Sequence, residues 1–267
     1  MDLKIVVCMK QVPGTNKVEM DPVTGVLCRN TASTKINPFD LYSLEIGLSL
    51  AEIWGGNVRT ISMGPSQARK VIEESICMGA AGGTVISDKR FAGADVLATS
   101  YTLAQGIRKT GDFDLVLCGK QTTDGDTAQV GPELAEHLGI PHVCNVVEIG
   151  ECTKEHIHIK ALQDGLLVEQ TVRMPCLLCI EDGIKTPRLP SYKRKLKMDS
   201  ASINILTLND MENTDEKAYG LSGSPTQVVK MFPPEKRQER ELWEDDEKIL
   251  AEKLFDLLCR KKIIYNT

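Results

Sequence analysis

Through the first 145 residues, short strings that read as buried strands alternate with stretches whose apolar residues recur at helical spacing. Alternation of this kind restricts the chain to a parallel sheet wrapped by helices. The strand strings are Leu3 to Met9, Val58 to Met63, Thr84 to Ser87 and Leu115 to Cys118. Between them lie Leu41 to Ile53, Ser66 to Met78, Asp95 to Lys109 and Ala128 to Leu138. In the second of these helices Ala68, Val71, Ile72 and Ile76 share one face, and Gly79 followed by Gly82 and Gly83 stops it. Aromatics are only 4% of the 267 residues, so the core is expected to be aliphatic, as in sheets buried on both faces.

The pattern then changes. His156 to Lys160 and Leu167 to Val172 alternate apolar with polar residues around Asp164-Gly165, which predicts a small antiparallel hairpin at a sheet edge. His156 and His158 share a face of it, but Glu155 and Lys160 beside them favour a solvated strand over a metal site. Beyond Cys179 the regular layout stops. Thr186-Pro187-Arg188-Leu189-Pro190 reads as an exposed loop entering the basic stretch Tyr192 to Lys197. Residues 199–240, with Pro225, Pro233 and Pro234, read as an extended arm. A closing helix from about Asp245 to Lys262 carries a stripe of Leu250, Leu254 and Leu258, with Arg260, Lys261 and Lys262 at its negative end. Such a helix needs something to pack against, and another subunit would serve. The expected division is therefore a nucleotide-binding domain over 1–190, with a loop at about 186–192 for partner recognition, and an arm and helix over 191–267.

Several functions are excluded. Lys and Arg number 32 against 37 Asp and Glu, a net charge of -5, and stacking rings are scarce, so nucleic acid is not an expected ligand. Apolar runs such as Ile5 to Met9 and Cys176 to Ile180 fall far short of the roughly 18 residues that span a bilayer. Met1-Asp2-Leu3-Lys4 is not followed by the apolar stretch and cleavage site of a secretory signal, so a cytoplasmic protein without membrane insertion is expected. Nine cysteines mostly stand singly in apolar strings, as Cys8 and Cys118 do, and read as buried reduced thiols. Cys176 and Cys179, three apart on a strand, point to opposite faces and cannot chelate one ion.

Open parallel sheets bind ligands beyond the carboxyl ends of their strands. The segments found there are Lys10-Gln11-Val12-Pro13-Gly14-Thr15, Met63-Gly64-Pro65-Ser66-Gln67-Ala68, and Gly119 through Pro132. In the last, Asp124 to Thr127 supply capping side chains and a glycine before a helix that Ala128 continues, so free backbone N–H groups would offer a pyrophosphate seat. Asp124 and Asp126 are awkward beside phosphate unless they cap the turn or meet ribose hydroxyls, and a purely structural capping loop explains the acid and the glycine as well. Asn37-Pro38-Phe39-Asp40 opens the first long helix: Pro38 suits its first turn, and Asn37 either caps it or lies beside the nucleotide. Neither G-x-G-x-x-G after the first strand nor a Walker sequence is present, and no nucleophile–base set assembles. Redox or transfer chemistry would therefore belong to a bound cofactor.

Taken in order, VVCMKQVP, INPFD, ISMGPSQA, FAGADVLATS, LCGKQTTDGDTAQVGPELAEHLG and MPCLLCIEDGIKTPRLP resemble the beta subunits of electron transfer flavoproteins over roughly residues 1–200. The resemblance implies an α/β, adenine-nucleotide α-hydrolase-like parallel sheet with helices on both faces, and a C-terminal arm that embraces an alpha subunit. It implies a nucleotide site at Cys8, Lys10, Asn37, Pro38, Phe39, Asp40, Met63, Gly64, Asp95, Thr99, Gly119, Lys120, Gln121, Thr122, Thr123, Asp124, Gly125, Asp126, Thr127, Ala128, Gln129 and Val130. In conventional members that site holds AMP and the subunit is essentially structural; in electron-bifurcating members it resembles a full FAD site.

The loop after the fourth strand separates the two kinds. Conventional members look like D-D-D-x-N-Q-T-G-Q, whereas Asp124-Gly125-Asp126-Thr127-Ala128-Gln129-Val130-Gly131-Pro132 is similar to the bifurcating form. Gly125 removes a carboxylate where a second phosphate and the ribityl tail must enter. Phe91 to Ser100 also looks like the bifurcating pattern, with small residues and the hydroxyls of Thr99 and Ser100 opening a helix. The implied activity is transfer of a hydride from NADH to FAD on this subunit. One electron then goes to ferredoxin or flavodoxin, the other through alpha-subunit FAD to a flavin dehydrogenase. The loop matching Thr186 to Tyr192 carries a docking leucine in this family, and Leu189 is the match. Gly14 stands where an acid is usual, and the stretch around Tyr192 is more basic than expected. The second departure leaves open whether the dehydrogenase is an acyl-CoA or a 2-hydroxyacid (lactate) enzyme.

Overall fold

The computed structural model describes residues 2–14, 34–199, 202–229 and 241–264; Thr15 of the first loop and Pro233 and Pro234 of the expected arm lie outside them. In chain order the elements are β1 (Leu3–Cys8), β2 (Gln11–Pro13), β3 (Thr34–Ile36), α1 (Pro38–Trp54), β4 (Gly56–Met63), α2 (Arg69–Met78), β5 (Gly82–Ile86), α3 (Val96–Thr110), β6 (Leu115–Gly119) and α4 (Val130–Leu138). They continue with β7 (His142–Cys152), β8 (His156–Gln163), β9 (Leu166–Arg173), β10 (Cys176–Ile180), α5 (Tyr192–Lys197), β11 (Ile203–Leu206) and α6 (Glu247–Arg260).

One sheet of nine strands has the order β11-β5-β4-β1-β6-β10-β7-β8-β9. Its strands from β11 to β7 run parallel, and β8 and β9 add the expected antiparallel hairpin at the edge. Period-two alternation within β1 divides the core. Leu3, Ile5, Val7 and Met9 join Leu44 and Leu48 of α1, while Val6 and Cys8 join Leu103 and Ile107 of α3 and Leu134 of α4. Helices thus cover both faces, and burying each Leu or Ile contributes about 1.5–3 kcal/mol. Cys176 falls in the first layer and Cys179 in the second, the opposite-face placement expected of a strand.

The path of the chain creates a crevice. From β1 it steps through β4 to β5, then returns across to β6 on the other side of β1. The connections leaving β1 and β6 therefore diverge, and it is at such a switch in strand order that open α/β sheets place their ligand crevices.

Three details differ from the sequence reading. Residues 11–13 and 34–36 pair as a two-stranded antiparallel ribbon beside the crevice. α4 starts at Val130, two residues after the expected Ala128, because Asp126 (φ 53°) and Ala128 (φ 55°) occupy the left-handed region, where no helix propagates. The first compact unit runs to Gln227, beyond the expected limit of 190. β11 pairs with β5 along Ile203–Leu206, and Tyr219 is fully buried against Phe91 and Tyr101, so this part of the expected arm is sheet edge and core.

The second unit is Val228–Thr267. Its helix α6 is capped by Asp246, which accepts from the Lys248 amide at 3.0 Å, and none of its residues is buried. Among the described residues no helix is long and apolar enough to cross a membrane.

Candidate functional site

Asn37 is the hinge of the crevice. It is fully buried, yet its side chain does not cap α1. Instead Nδ2 donates to Asp40 Oδ1 at 2.8 Å and to the Gln121 carbonyl at 2.9 Å, and Oδ1 accepts from the Thr123 amide at 3.3 Å. Its own amide donates to the Lys10 carbonyl at 2.9 Å. One side chain thus ties the start of α1 to the connections leaving β1 and β6. Pro38 takes the first helical position, where its missing N–H costs nothing, and the Asp40 amide donates to the Asn37 carbonyl at 3.0 Å, which leaves the Asn37 side chain to make these ties.

Asp40 completes the tie. It accepts from the Lys10 amide at 2.7 Å and from the Gly119 amide. Gly119 has no alternative here, since a Cβ would lie 2.5 Å from Asp40 Oδ1 and 2.8 Å from the Phe39 carbonyl carbon. Burial pushes the Asp40 carboxyl up to about 7 against the lowering effect of these donors. Between its ordinary value of 3.8 and about 7, the folded protein keeps a proton that the unfolded chain has released. Stability should therefore fall as pH rises through that window and level off above it. Urea midpoints at about pH 5 and pH 7.5 should show this fall in the wild type and a flatter response in Asp40→Asn. Equal falls in both would contradict the assignment.

Two lysines flank the opening, and both are already paired. Lys10 Nζ meets Asp124 Oδ1 at 2.8 Å, across the gap between the β1 and β6 connections. Burial alone would raise Asp124, but the bond to Lys10 holds it below the ordinary carboxylate range. That pairing removes the awkwardness of an acid near phosphate. Lys120 lies between Glu181 and Asp182, the latter at 3.1 Å, with its ammonium 5.4 Å from the centre of the Phe39 ring.

Residues 123–129 are exposed, and the turn is held by the Gly125 amide to Thr122 Oγ1 at 3.3 Å and the Asp126 amide to the Thr122 carbonyl at 3.0 Å. Asp124 and Asp126 do not cap α4: Gln129 occupies the cap position with no side-chain bond. The first-turn amides of Val130 and Gly131 thus precede Pro132, which has none. An uncapped helix start beside an exposed, small-residue loop fits an anionic group.

The other expected site residues are placed as follows. Cys8 is buried at the end of β1, and Met63 closes β4 against the same core layer. The Gly64 amide donates to the Ile86 carbonyl at 3.0 Å, and Gln11 Nε2 reaches the Gln67 carbonyl at 3.3 Å, joining this turn to the crevice. Asp95 and Thr99 open α3. The Asp95 carboxylate is committed, accepting from the Ala98 amide at 3.1 Å and from Thr226 at 3.0 Å and 2.7 Å. Thr99 is half-buried beside Ser100, whose hydroxyl donates to Glu133 Oε2 on α4 at 3.1 Å.

Leu189 stands 86% exposed. Its neighbour Arg188 is pinned to α1: the Arg188 amide, Nε and Nη2 donate to Glu45 at 3.0, 2.8 and 3.1 Å, and Nη1 and Nη2 reach Glu52 at 2.5 and 3.1 Å. Glu45 is only 3% exposed. This clamp was not expected. Its one signal in the sequence is an acid inside the apolar run Leu44-Glu45-Ile46. His156 and His158 bond Thr153 and Thr171, and no metal-holding cluster exists among the described residues.

A family model described as "Electron transfer flavoprotein domain" matches residues 24–211. Over 241 residues the chain is 42% identical to the electron transfer flavoprotein subunit beta of Clostridium acetobutylicum, covering 90% of this chain and 92% of that one. It is 41% identical over 233 residues to the caffeyl-CoA reductase–Etf complex subunit CarD of Acetobacterium woodii, covering 87% and 88%. Against the acryloyl-CoA reductase electron transfer subunit gamma of Anaerotignum propionicum it is 36% identical over 269 residues, covering 98% and 100%.

Proposed function

The chain belongs to the electron transfer flavoprotein family as a beta subunit, and on that premise we propose that it binds FAD in the crevice between β1 and β6 within an electron-bifurcating heterodimer. In this reading the heterodimer takes a hydride from NADH. It passes one electron to ferredoxin or flavodoxin and the other, through the alpha subunit's FAD, to a partner flavin dehydrogenase of the acyl-CoA or 2-hydroxyacid type. The observation that carries it is the exposed loop of residues 123–129 leading into an α4 start without a side-chain cap. A bound flavin supplies the hydride and one-electron chemistry; the chain supplies its seat and surroundings.

The residues divide that work. Asn37 and Asp40 bond to both connections, so their part in the seat is to hold those connections in place around the nucleotide. The Val130 and Gly131 amides and the loop hydroxyl of Thr123 are the donors open to phosphate, while the Thr122 hydroxyl is committed to Asp124. With Lys10 and Lys120 both paired to carboxylates, affinity for the pyrophosphate rests on these neutral donors and the helix dipole.

Gly125 is the discriminating position. A Cβ there would meet only Thr122 Oγ1, at 3.4 Å, so a side chain is tolerated by the fold and any effect must come through the ligand. Gly125→Asp should lower flavin occupancy of the beta site severalfold and NADH-driven reduction of ferredoxin by at least as much, with thermal stability of the cofactor-free protein unchanged. Full occupancy in this variant would contradict the role given to the glycine.

A further inference from the structure

A row of thiols crosses the sheet beneath the first turn of α4. β1 and β6 are in register at Val7 and Leu117, which sets Cys8 beside Cys118, and Cys118 pairs directly with Cys179 of β10. Between Leu178 and Ile180 the register with β7 shifts, so Cys179 faces the bulged pair Cys144–Asn145, where Asn145 has φ 55°. All four thiols lie in the layer under α3 and α4. A Cβ built on Gly131 would lie 2.3 Å from Cys179 Sγ, so that sulfur sits directly against the backbone of the first turn of α4.

The row has one reachable end. Cys8, Cys118 and Cys179 are buried, whereas Cys144 is half-buried. The neighbouring Cys179 thiol holds Cys144 below the usual thiol range, and Cys144, together with burial, raises Cys179 well above it. A thiol that is both reachable and acidic is the one that attacks disulfides. Neighbouring strands stand about 4.8 Å apart, within the Cα separation a disulfide spans.

We propose that Cys144 and Cys179 form a reversible disulfide by exchange with a low-molecular-weight disulfide, and that closing it loosens the ligand seat at the start of α4. The Cys144 thiolate attacks one sulfur of the small disulfide, forming a mixed disulfide and releasing one small thiol, which takes up the proton Cys144 gave. Cys179, giving up its own proton, then attacks the Cys144 sulfur and releases the second small thiol. Two protein thiols are oxidised and one small disulfide is reduced to two thiols. Moving the Cys179 sulfur toward β7 withdraws the support under Gly131. This last effect rests on the reading that the α4 start seats a nucleotide.

The test uses the heterodimer as purified, oxidised with glutathione disulfide, alkylated, digested and mapped by mass spectrometry. A Cys144–Cys179 linked peptide is expected, with Cys8, Cys118 and Cys176 alkylated only after denaturation. Cys179→Ala should accumulate the glutathione adduct on Cys144, and Cys144→Ser should leave Cys179 unmodified. Absence of the linked peptide, or oxidation of Cys179 in Cys144→Ser, overturns the proposal. Nucleotide release measured by ultrafiltration should be at least tenfold faster in the oxidised protein, and an unchanged rate overturns the coupling. If the reduced protein carries no nucleotide, the functional reading and the coupling fail together, while the peptide map still decides whether the disulfide forms.

Discussion

Asn37→Leu should strip the subunit of its bound nucleotide and lower its stability by about 3 kcal/mol, a fall in Tm on the order of 8 °C for a chain of this size. Leu branches at the same carbon with the same number of non-hydrogen atoms but larger terminal groups, so overpacking adds to a loss that is mainly polar in origin. It arises because Leu can neither donate to the Gln121 carbonyl and Asp40 nor accept from the Thr123 amide. Each buried polar group left without a partner costs about 1–3 kcal/mol. The connections leaving β1 and β6 would then be held by the bonds of Asp40 to the Lys10 and Gly119 amides and by the part-exposed Lys10–Asp124 pair, worth less than about 1 kcal/mol. Nucleotide content after gel filtration and a thermal melt of the same sample check both halves. A variant that melts with the wild type and keeps its nucleotide would show that the tie is dispensable.

Arg188→Ala should cost about 3 kcal/mol and abolish productive docking of the dehydrogenase, while leaving nucleotide content intact. Glu45 would remain in the core with only the residue-188 backbone amide, Ser49 and Lys185, the last at 3.6 Å, in place of a multidentate guanidinium. Breaking a buried pair by removing one partner typically costs 3–5 kcal/mol, and the surviving donors put this case at the low end. The pair has a defined pH signature. Hydrogen bonds from Arg188 outweigh burial and hold Glu45 below its ordinary 4.5, so its stabilisation is present above that pH and lost as pH falls through the lowered value. The gap in stability between wild type and variant should accordingly narrow in acid. Docking reads separately: Leu189→Ala should raise the KM for the dehydrogenase at least tenfold with no loss of stability, since Leu189 is exposed and supports nothing. Arg188→Ala should show both losses. Retention of docking in Arg188→Ala would mean that the clamp does not position the loop.

The fold was legible where burial on both faces makes a strand continuously apolar, as in Leu3–Cys8 and Cys176–Ile180, and where Asp164-Gly165 marks the hairpin. β11 was not legible, because its four residues lie in a polar stretch and half of their side chains face solvent. The segment that follows it is held by contacts with no local pattern: the Leu208 amide on Asp88 at 3.2 Å, Asn213 Nδ2 on the Tyr101 hydroxyl at 2.8 Å, and Tyr219 between two rings. The site was half legible. Its segments could be gathered from their positions after strands, but whether Asn37 caps a helix or ties loops depends on Gln121 and Thr123, more than 80 residues away. Arg188 and Glu45 are separated by 143 residues, and nothing in either segment announces the other.

The central claim is that the crevice between β1 and β6 seats a full flavin dinucleotide. Denaturing the purified alpha–beta heterodimer and separating the released cofactors tests it most directly. The account predicts two FAD per heterodimer and no AMP; one FAD together with one AMP would contradict it and return this subunit to a structural role.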